Sequence, residues 1–263
     1  MRAYLAFLRG AVLVGMVYRL GFLFTALGNV VYMVVAYFLW RSIYVGQTSI
    51  HGLTFDQALL YVALGSTVFI LLKTFTDWGM AQEIRDGTVA VFLTKPIDYQ
   101  FYTFFTNLGF PLTSLVTVIA PTVILLVFFF RIHFDFGPGY LFFPLSLTLA
   151  FIISFHLDYL IGLTGFYTES IWGISITKEI IVSVLSGMLL PLQFFPAAVQ
   201  QILAWLPFQA MYFTPLMMVT KPGQNVSVFL VMLGVQAAWT AATFLICRLA
   251  YGRAIQVLRV AGG

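Results

Sequence analysis

Residues 21–40, GFLFTALGNVVYMVVAYFLW, form an unbroken run of 20 residues without a charged side chain. An α-helix rises 1.5 Å per residue, so this run makes a helix of about 30 Å, the thickness of the hydrocarbon core of a bilayer. Hydrophobic residues make up 61% of the 263-residue chain and charged residues only 8%, against about 25% charged residues in soluble domains. The composition therefore predicts an integral membrane protein.

Further apolar runs predict an all-α fold with six membrane spans. The approximate spans are residues 21–40, 58–75, 106–130, 140–167, 173–190 and 228–249. Pro111 and Pro121 are expected to kink the third span, because proline removes a backbone hydrogen bond. Four prolines within residues 191–215 divide the stretch before the last span into pieces too short to cross, which favours short extracellular re-entrant half-helices. These runs occupy most of the length, so residues 1–263 are predicted to form a single transmembrane domain.

The positions of lysine and arginine predict the orientation. With a cytoplasmic N-terminus, three cations lie outside, namely Arg41, Arg131 and Lys221. Ten lie on or near the inner side: Arg2, Arg9, Arg19, Lys73, Arg85, Lys95, Lys178, Arg248, Arg253 and Arg259. Because cytoplasmic loops carry an excess of positive charge, both termini are expected in the cytoplasm. The seven-residue spacing of Arg2 and Arg9 favours an N-terminal helix lying in the interface, with an early extension of the first span as the alternative.

Residues 83–99, called the polar island below, are the most polar part of the chain. The interval from Lys73 to Asp98 holds seven of the 22 formal charges. Thr76–Arg85 is predicted to form a short surface helix that ends at a glycine turn, and a proline blocks its continuation further on. Such a projection suits docking to a soluble partner through directional charge contacts. The alternative is an ordinary solvated loop.

Catalytic motifs are missing from the sequence. No lysine follows a glycine, so the P-loop that binds phosphates is absent, and HExxH and GxSxG are absent too. His51, His133 and His156 stand alone, and the single Cys247 lies in an apolar run, so neither a metal site nor an intrachain disulfide is predicted. No basic stripe indicates nucleic-acid binding. The chain is not expected to be an enzyme, and energy for any transport must come from elsewhere.

Three ionisable residues fall inside apolar runs, namely Asp158, Lys178 and Glu179. Each costs roughly 2.5–3.5 kcal/mol near the bilayer centre on insertion scales. Their positions favour pairing between neighbouring helices over a substrate or proton path, which remains the alternative. Small residues recur every four positions in the sixth span, at Gly234, Ala238 and Ala242, and permit close helix packing within the subunit or across a dimer.

Several fragments, in order along the chain, resemble the type 2 ATP-binding-cassette (ABC) permeases, specifically their compact bacterial branch with six spans. Near the first two spans they are Tyr18-Arg19, Leu39-Trp40-Arg41-Ser42-Ile43-Tyr44 and Gly52-Leu53-Thr54 with Tyr61. In the polar island they are Glu83-Ile84-Arg85-Asp86-Gly87 and Leu93-Thr94-Lys95-Pro96-Ile97. The later ones are Gly187 with Pro191-Leu192, Phe195-Pro196, Leu206-Pro207-Phe208, and Tyr212 with Pro215. Lys95 stands where arginine is common, which keeps the charge but loses the forked donor.

The resemblance implies a permease subunit of an ABC exporter in the bacterial inner membrane. Two such chains, identical or sister permeases, would assemble with two copies of an ATPase subunit. ATP and Mg are then expected in that ATPase, with no cofactor in this chain. In the resembling family the loop after the second span holds a coupling helix that seats in the ATPase. That role falls on six residues here: Met80, Gln82, Glu83, Arg85, Asp86 and Gly87.

Two other functional classes remain open from the sequence. A self-sufficient secondary transporter or channel would require internal repeats and a more polar midplane. A membrane-embedded enzyme would require a catalytic constellation at one interface. Membrane lipid is an expected partner in every case, and the substrate is not specified by any motif.

Overall fold

The computed structural model describes residues 2–17 and 19–257, which leaves Tyr18 and Arg259 outside the described residues. The chain is 79% helical, and the described ranges contain no strand. Its α-helices are α1 Arg2–Val17, α2 Arg19–Ile43, α3 Phe55–Leu72, α4 Thr76–Arg85, α5 Val89–Leu93, α6 Tyr99–Asn107, α7 Gly109–Ser114, α8 Ala120–Ile124, α9 Gly139–Leu163, α10 Trp172–Leu185, α11 Ala197–Ala204, α12 Phe213–Thr220 and α13 Val226–Ala254. The predicted all-helical class is confirmed.

Within the described residues, five helical stretches are long and apolar enough to cross a membrane. They are Leu20–Ile43, Phe55–Arg85, Tyr99–Phe129, Gly139–Phe166 and Val226–Val257. The fifth predicted span, at residues 173–190, is not among them, so six spans are not confirmed: α10 has 14 residues and a rise of about 21 Å. It ends early because Gly187 adopts the left-handed conformation, with φ 79°, that commonly terminates helices. Between α10 and α13, α11 and α12 have eight residues each and rise only about 12 Å.

The third span is irregular around its second proline. Two π-helical turns, Leu115–Ile119 and Leu125–Phe129, flank α8, which begins with Pro121 at one of its first two positions. Proline has no N–H to donate, and wider turns commonly absorb such an interruption. The next residue, Thr122, accepts a hydrogen bond from Asn29 Nδ2 at 3.0 Å. A buried polar contact thus fixes the irregular span against the first one.

The N-terminal helix α1 lies along the start of the third span, against α6 and α7. The ring of Tyr4 stacks on that of Phe105 with 5.6 Å between centroids, and its hydroxyl accepts from the Asp98 N–H at 2.9 Å. The two backbones approach closely at Gly109, where a Cβ would stand 2.6 Å from the Ala11 carbonyl carbon. How deep α1 lies in a membrane interface stays a prediction.

Helix α9 is the centre of the fold, because it packs against α13, α4, α12 and α3. The small-residue stripe of α13 does not contribute to that packing. Gly234 and Ala238 are exposed and Ala242 is half-buried, and a Cβ added at Gly234 would meet nothing within 4 Å. Close packing of this stripe inside the subunit is therefore not seen, and its use in a dimer stays a prediction.

Candidate docking and coupling site

A sharp bend of the chain after α3 sets the direction of α4, the helix that leads into the polar island. Helix α3 ends at Leu72, and Phe75 then adopts φ 53° and ψ 16°, a left-handed conformation that is uncommon for a bulky residue. Its ring packs edge-on against Phe110 with 5.6 Å between centroids. At the far end of α4, Gly87 has φ 72° and ends the helix where the sequence places the turn.

Met80 lies on the face of α4 that packs against α9. It is 1% exposed, and it lies over Gly162, where a Cβ would stand 2.9 Å from the Met80 Cβ and Sδ atoms. Gly165 allows a similar approach to Ala81. The Met80 side chain therefore packs inside the subunit, and its predicted part in docking stays a prediction.

Glu83 also faces inward, one helical turn after Met80. Its Oε2 accepts a hydrogen bond from the Tyr99 hydroxyl at 2.7 Å, and its Oε1 accepts from the Tyr102 hydroxyl at 3.3 Å. Tyr99 is only 2% exposed. Glu83 therefore ties α4 to the start of the third span, and its predicted contact with a partner stays a prediction.

The opposite face of α4 carries the rest of the predicted docking set. Gln82, Arg85, Asp86 and Gly87 are all exposed. Arg85 Nη2 donates to Gln82 Oε1 at 2.8 Å, and Gln82 Nε2 donates to Asp86 Oδ2 at 2.6 Å. These bonds hold one positive and one negative side chain in a defined order, and the residues 82, 85, 86 and 87 are called the docking patch below.

A groove of about 530 Å³ borders the docking patch. Its opposite wall is the segment 165–169 between α9 and α10, which includes the exposed Tyr167 and the carboxylate residue Glu169. Sequence reasoning missed this wall, because a single acidic residue in a short loop matches no motif. An aromatic side chain and charges of both signs around a groove suit a protein partner.

A buried charge network lies behind α4. Lys178 Nζ bonds to Asp158 and lies 3.7 Å from Asp77 Oδ2. The two carboxylates also accept hydrogen bonds, from Ser175 to Asp77 and from Thr74 to Asp158. Both aspartates are at most 7% exposed. The network thus joins the helices α4, α9 and α10 through one cation and two anions.

The structure brings together two of the three predicted intramembrane charges and places the third beside them. Asp158 and Lys178 pair directly, whereas Glu179 pairs with Lys73, with 3.6 Å between Nζ and Oε1. The cavity that these residues line measures only about 40 Å³, enough for a water molecule but not for a substrate. Asp77 was not singled out from the sequence, because it lies in the helix interpreted as a solvated surface element.

Replacing Gly162 by valine is expected to weaken the packing of α4 against α9. The added side chain would collide with Met80, and overpacking of this kind costs typically 1–3 kcal/mol. Thermal unfolding of the purified protein in detergent measures the loss. Gly173→Val is the matched control, because a Cβ at Gly173 meets nothing within 4 Å. Equal melting temperatures for the two variants would contradict the close packing.

Comparison with known families gives one match. Residues 30–262 match a family model described as ABC-2 family transporter protein. No curated protein matches the chain. The matched range contains the docking patch, the groove and the charge network.

Proposed function

Because the chain belongs to the ABC-2 transporter family, we propose that it is the permease subunit of an ABC exporter, which moves a substrate outward with ATP hydrolysed by a separate subunit. Membrane permeases of this family normally work with an ATPase partner. The chain carries no P-loop, so the ATP and Mg sites belong to that partner and this chain is not itself an enzyme.

In the proposed assembly, two permease chains, identical or sister, join two ATPase subunits in the bacterial inner membrane. Both termini and the polar island face the cytoplasm, in agreement with the excess of Lys and Arg on that side. Helix α10 acts as a sixth, short membrane segment. The pieces α11 and α12 are the extracellular half-helices, since neither is long enough to cross.

The docking patch is the observation that supports this proposal most directly. Its exposed Arg85 and Asp86 are ordered by Gln82, and the buried face of the same helix is fixed by Glu83 and Met80. The exposed side chains of α4 are thus held in a defined order, and its buried face is fixed to the rest of the chain. A displacement of this helix can therefore be transmitted to the rest of the chain. An ordinary solvated loop would need neither the hydrogen bonds among the exposed side chains nor the contacts of the buried face.

The charge network supplies a route for that displacement. Asp77 moves with α4, and Lys178 connects it to α10 and to Asp158 on α9. Helix α10 has only Ser175 and Val182 as buried residues, so it is held loosely by the rest of the subunit. A shift of α4 driven by the ATPase would therefore move α10 more easily than the packed helices.

The first test exchanges the two charges of the docking patch. Arg85→Glu with Asp86→Lys keeps the net charge and leaves Glu83 intact, so the island should still fold. The tagged chain is purified from its native membrane in mild detergent, and the proteins that accompany it are identified by mass spectrometry. We expect a P-loop ATPase with the wild type and at least a tenfold loss of it with the double variant.

Arg253→Glu is the control for this experiment, because Arg253 is an exposed cation in the last turn of α13 and lies outside the patch. It should retain the ATPase. A stable wild-type complex without an ATPase would contradict the exporter proposal and favour a secondary transporter. Retention of the ATPase by the double variant would instead reject this docking patch. A second permease among the accompanying proteins would indicate a heterodimer.

A further inference from the structure

A lateral cleft lies between α6, α9 and α13, apart from the docking patch and the charge network. Its volume is about 480 Å³, within the range of roughly 300–1,000 Å³ that is usual for ligand sites. Its lining is mainly apolar and aromatic: Phe101, Phe104, Leu149, Ile152, Phe155, Ala237, Ala241 and Phe244. Phe101, Ala237 and Ala241 are exposed, so the cleft opens on the flank of the molecule.

The two long walls of the cleft run in the same direction. Near one end Gln236 Nε2 of α13 donates to the Ser146 carbonyl of α9 at 3.1 Å, and near the other Thr243 bonds to His156. The wall from Leu149 to His156 therefore extends about 10 Å along the helix axis. The cleft therefore runs along the helix axes, the direction that an acyl chain takes in a bilayer.

The polar groups of the cleft collect at its His156 end. Gln100, in the first turn of α6, is 2% exposed, and neither its Nε2 nor its Oε1 has a hydrogen-bond partner within the described ranges. A buried amide without partners is costly, and native proteins seldom leave one so. Its orphaned donor and acceptor point to a ligand that brings a polar group into this end of the cleft.

His156 is a second polar residue that lines the cleft. Its Nδ1 lies 2.8 Å from Thr243 Oγ1. The Thr243 hydroxyl can donate to the carbonyls of Trp239, at 2.8 Å, and Thr240, at 3.1 Å, or to this nitrogen. A diacyl glycerolipid has no hydroxyl in its glycerol region, so it needs a donor at this end of the cleft, which Gln100 offers.

Just beyond this end lies Arg248, whose guanidinium sits 5.4 Å from the Phe101 ring centroid and 5.2 Å from that of Phe244. It also pairs with Asp98, and both side chains are 32% exposed. This pair stands where a lipid headgroup would lie if a chain filled the cleft. Because Asp98 neutralises the arginine, the rim offers little net attraction for an anionic headgroup.

We propose that this cleft binds one acyl chain of a membrane glycerolipid, with an ester carbonyl of the lipid accepting a hydrogen bond from Gln100 Nε2. The apolar far end takes the chain, and the polar end meets the glycerol region. The lipid comes from the leaflet on the side of Asp98 and Arg248. The site does not depend on the proposed exporter function, and it discriminates little between zwitterionic and anionic lipids.

Photocrosslinking tests the site directly. The purified chain is reconstituted in phosphatidylcholine vesicles that contain a few per cent of phosphatidylcholine with a diazirine in one acyl chain. After irradiation, mass spectrometry locates the label. We expect it on the cleft faces of α9 and α13, and we expect Ala241→Trp, which fills the cleft, to reduce that label at least fivefold. Phosphatidylglycerol carrying the same diazirine should label equally well.

Leu245→Trp is the control, because Leu245 is 60% exposed on the same helix but does not line the cleft. It should leave the label unchanged. Label spread over all exposed apolar faces, or equal label in the wild type and Ala241→Trp, would overturn the proposal. Crosslinking of Ala241 to a second permease copy in place of lipid would overturn it too.

Gln100→Leu tests the polar contact separately. Without lipid the wild type carries an unsatisfied amide, so the variant should melt at the same or a higher temperature in detergent. Added phosphatidylcholine should then raise the melting temperature of the wild type by several degrees more than that of the variant. If the role of Gln100 is purely structural, Gln100→Leu lowers the melting temperature both without lipid and with it. That result would overturn the hydrogen bond to the lipid.

Discussion

Replacing Lys178 by methionine is expected to lower the free energy of unfolding by about 3–5 kcal/mol, since removal of one partner leaves buried charges uncompensated. The Lys178 side chain is 15% exposed, and those of Asp77 and Asp158 are 3% and 10% exposed. Methionine keeps the unbranched apolar shape but cannot pair with either carboxylate. Thermal or denaturant unfolding of the purified protein in detergent measures the loss.

Two further variants make this prediction specific. Asp158→Asn in the Lys178→Met background should restore part of the stability, because it removes one of the two orphaned charges. Lys73→Met is the matched control: its pair with Glu179 has side chains 32% and 37% exposed, and exposed pairs contribute about 0–1 kcal/mol. Equal losses for Lys178→Met and Lys73→Met would show that the network is solvated and would refute its structural role.

Replacing Glu83 by leucine is expected to cost about 2–3 kcal/mol, because the hydroxyls of two buried tyrosines lose a charged acceptor. Transport should fail while the docking patch, which Glu83 does not line, still binds the ATPase. Glu83→Gln keeps one acceptor oxygen and should cost less. Unfolding in detergent and recovery of the ATPase on purification are the two measurements.

A double-mutant cycle isolates the hydrogen bond to Tyr99. Tyr99→Phe removes the hydroxyl, so it should cost little further stability once Glu83 is leucine. Fully additive losses would contradict a direct bond between the two side chains. Asp86→Asn is the control on the exposed face of α4, and it should change the stability by less than about 0.5 kcal/mol.

Apolar runs predict the helices of this chain well, because a long uncharged segment has few other stable forms in a membrane. The run that ended at Leu190 predicted a full span that is not confirmed, because α10 ends at Leu185. Gly187 closes α10 there through its left-handed backbone, and its Cβ position lies 3.0 Å from the Tyr61 hydroxyl. A glycine in an apolar run serves packing as often as termination, so the sequence alone does not separate the two.

The face that α4 turns inward was not predicted from the sequence. Met80 and Glu83 lie one turn apart on it, but one is apolar and the other charged, so the helix has no uniform apolar stripe to predict it. The tyrosines that satisfy Glu83 are 16 and 19 residues away. Asp77 was missed for a related reason, because its cation Lys178 belongs to a helix made much later in the chain.

That separation along the chain has a consequence for biosynthesis. Alone, a short helix with two ionisable groups enters a bilayer poorly, since each costs roughly 2.5–3.5 kcal/mol near its centre. Lys178 pairs with Asp77 and Asp158, and Glu179 pairs with Lys73. All three partner residues are translated before α10. A nascent chain folds its earlier parts first, so the partners are already inserted when α10 leaves the ribosome. In the proposed topology, the entry of α10 into the membrane is then an assembly step beside helices that are already inserted, not an independent insertion.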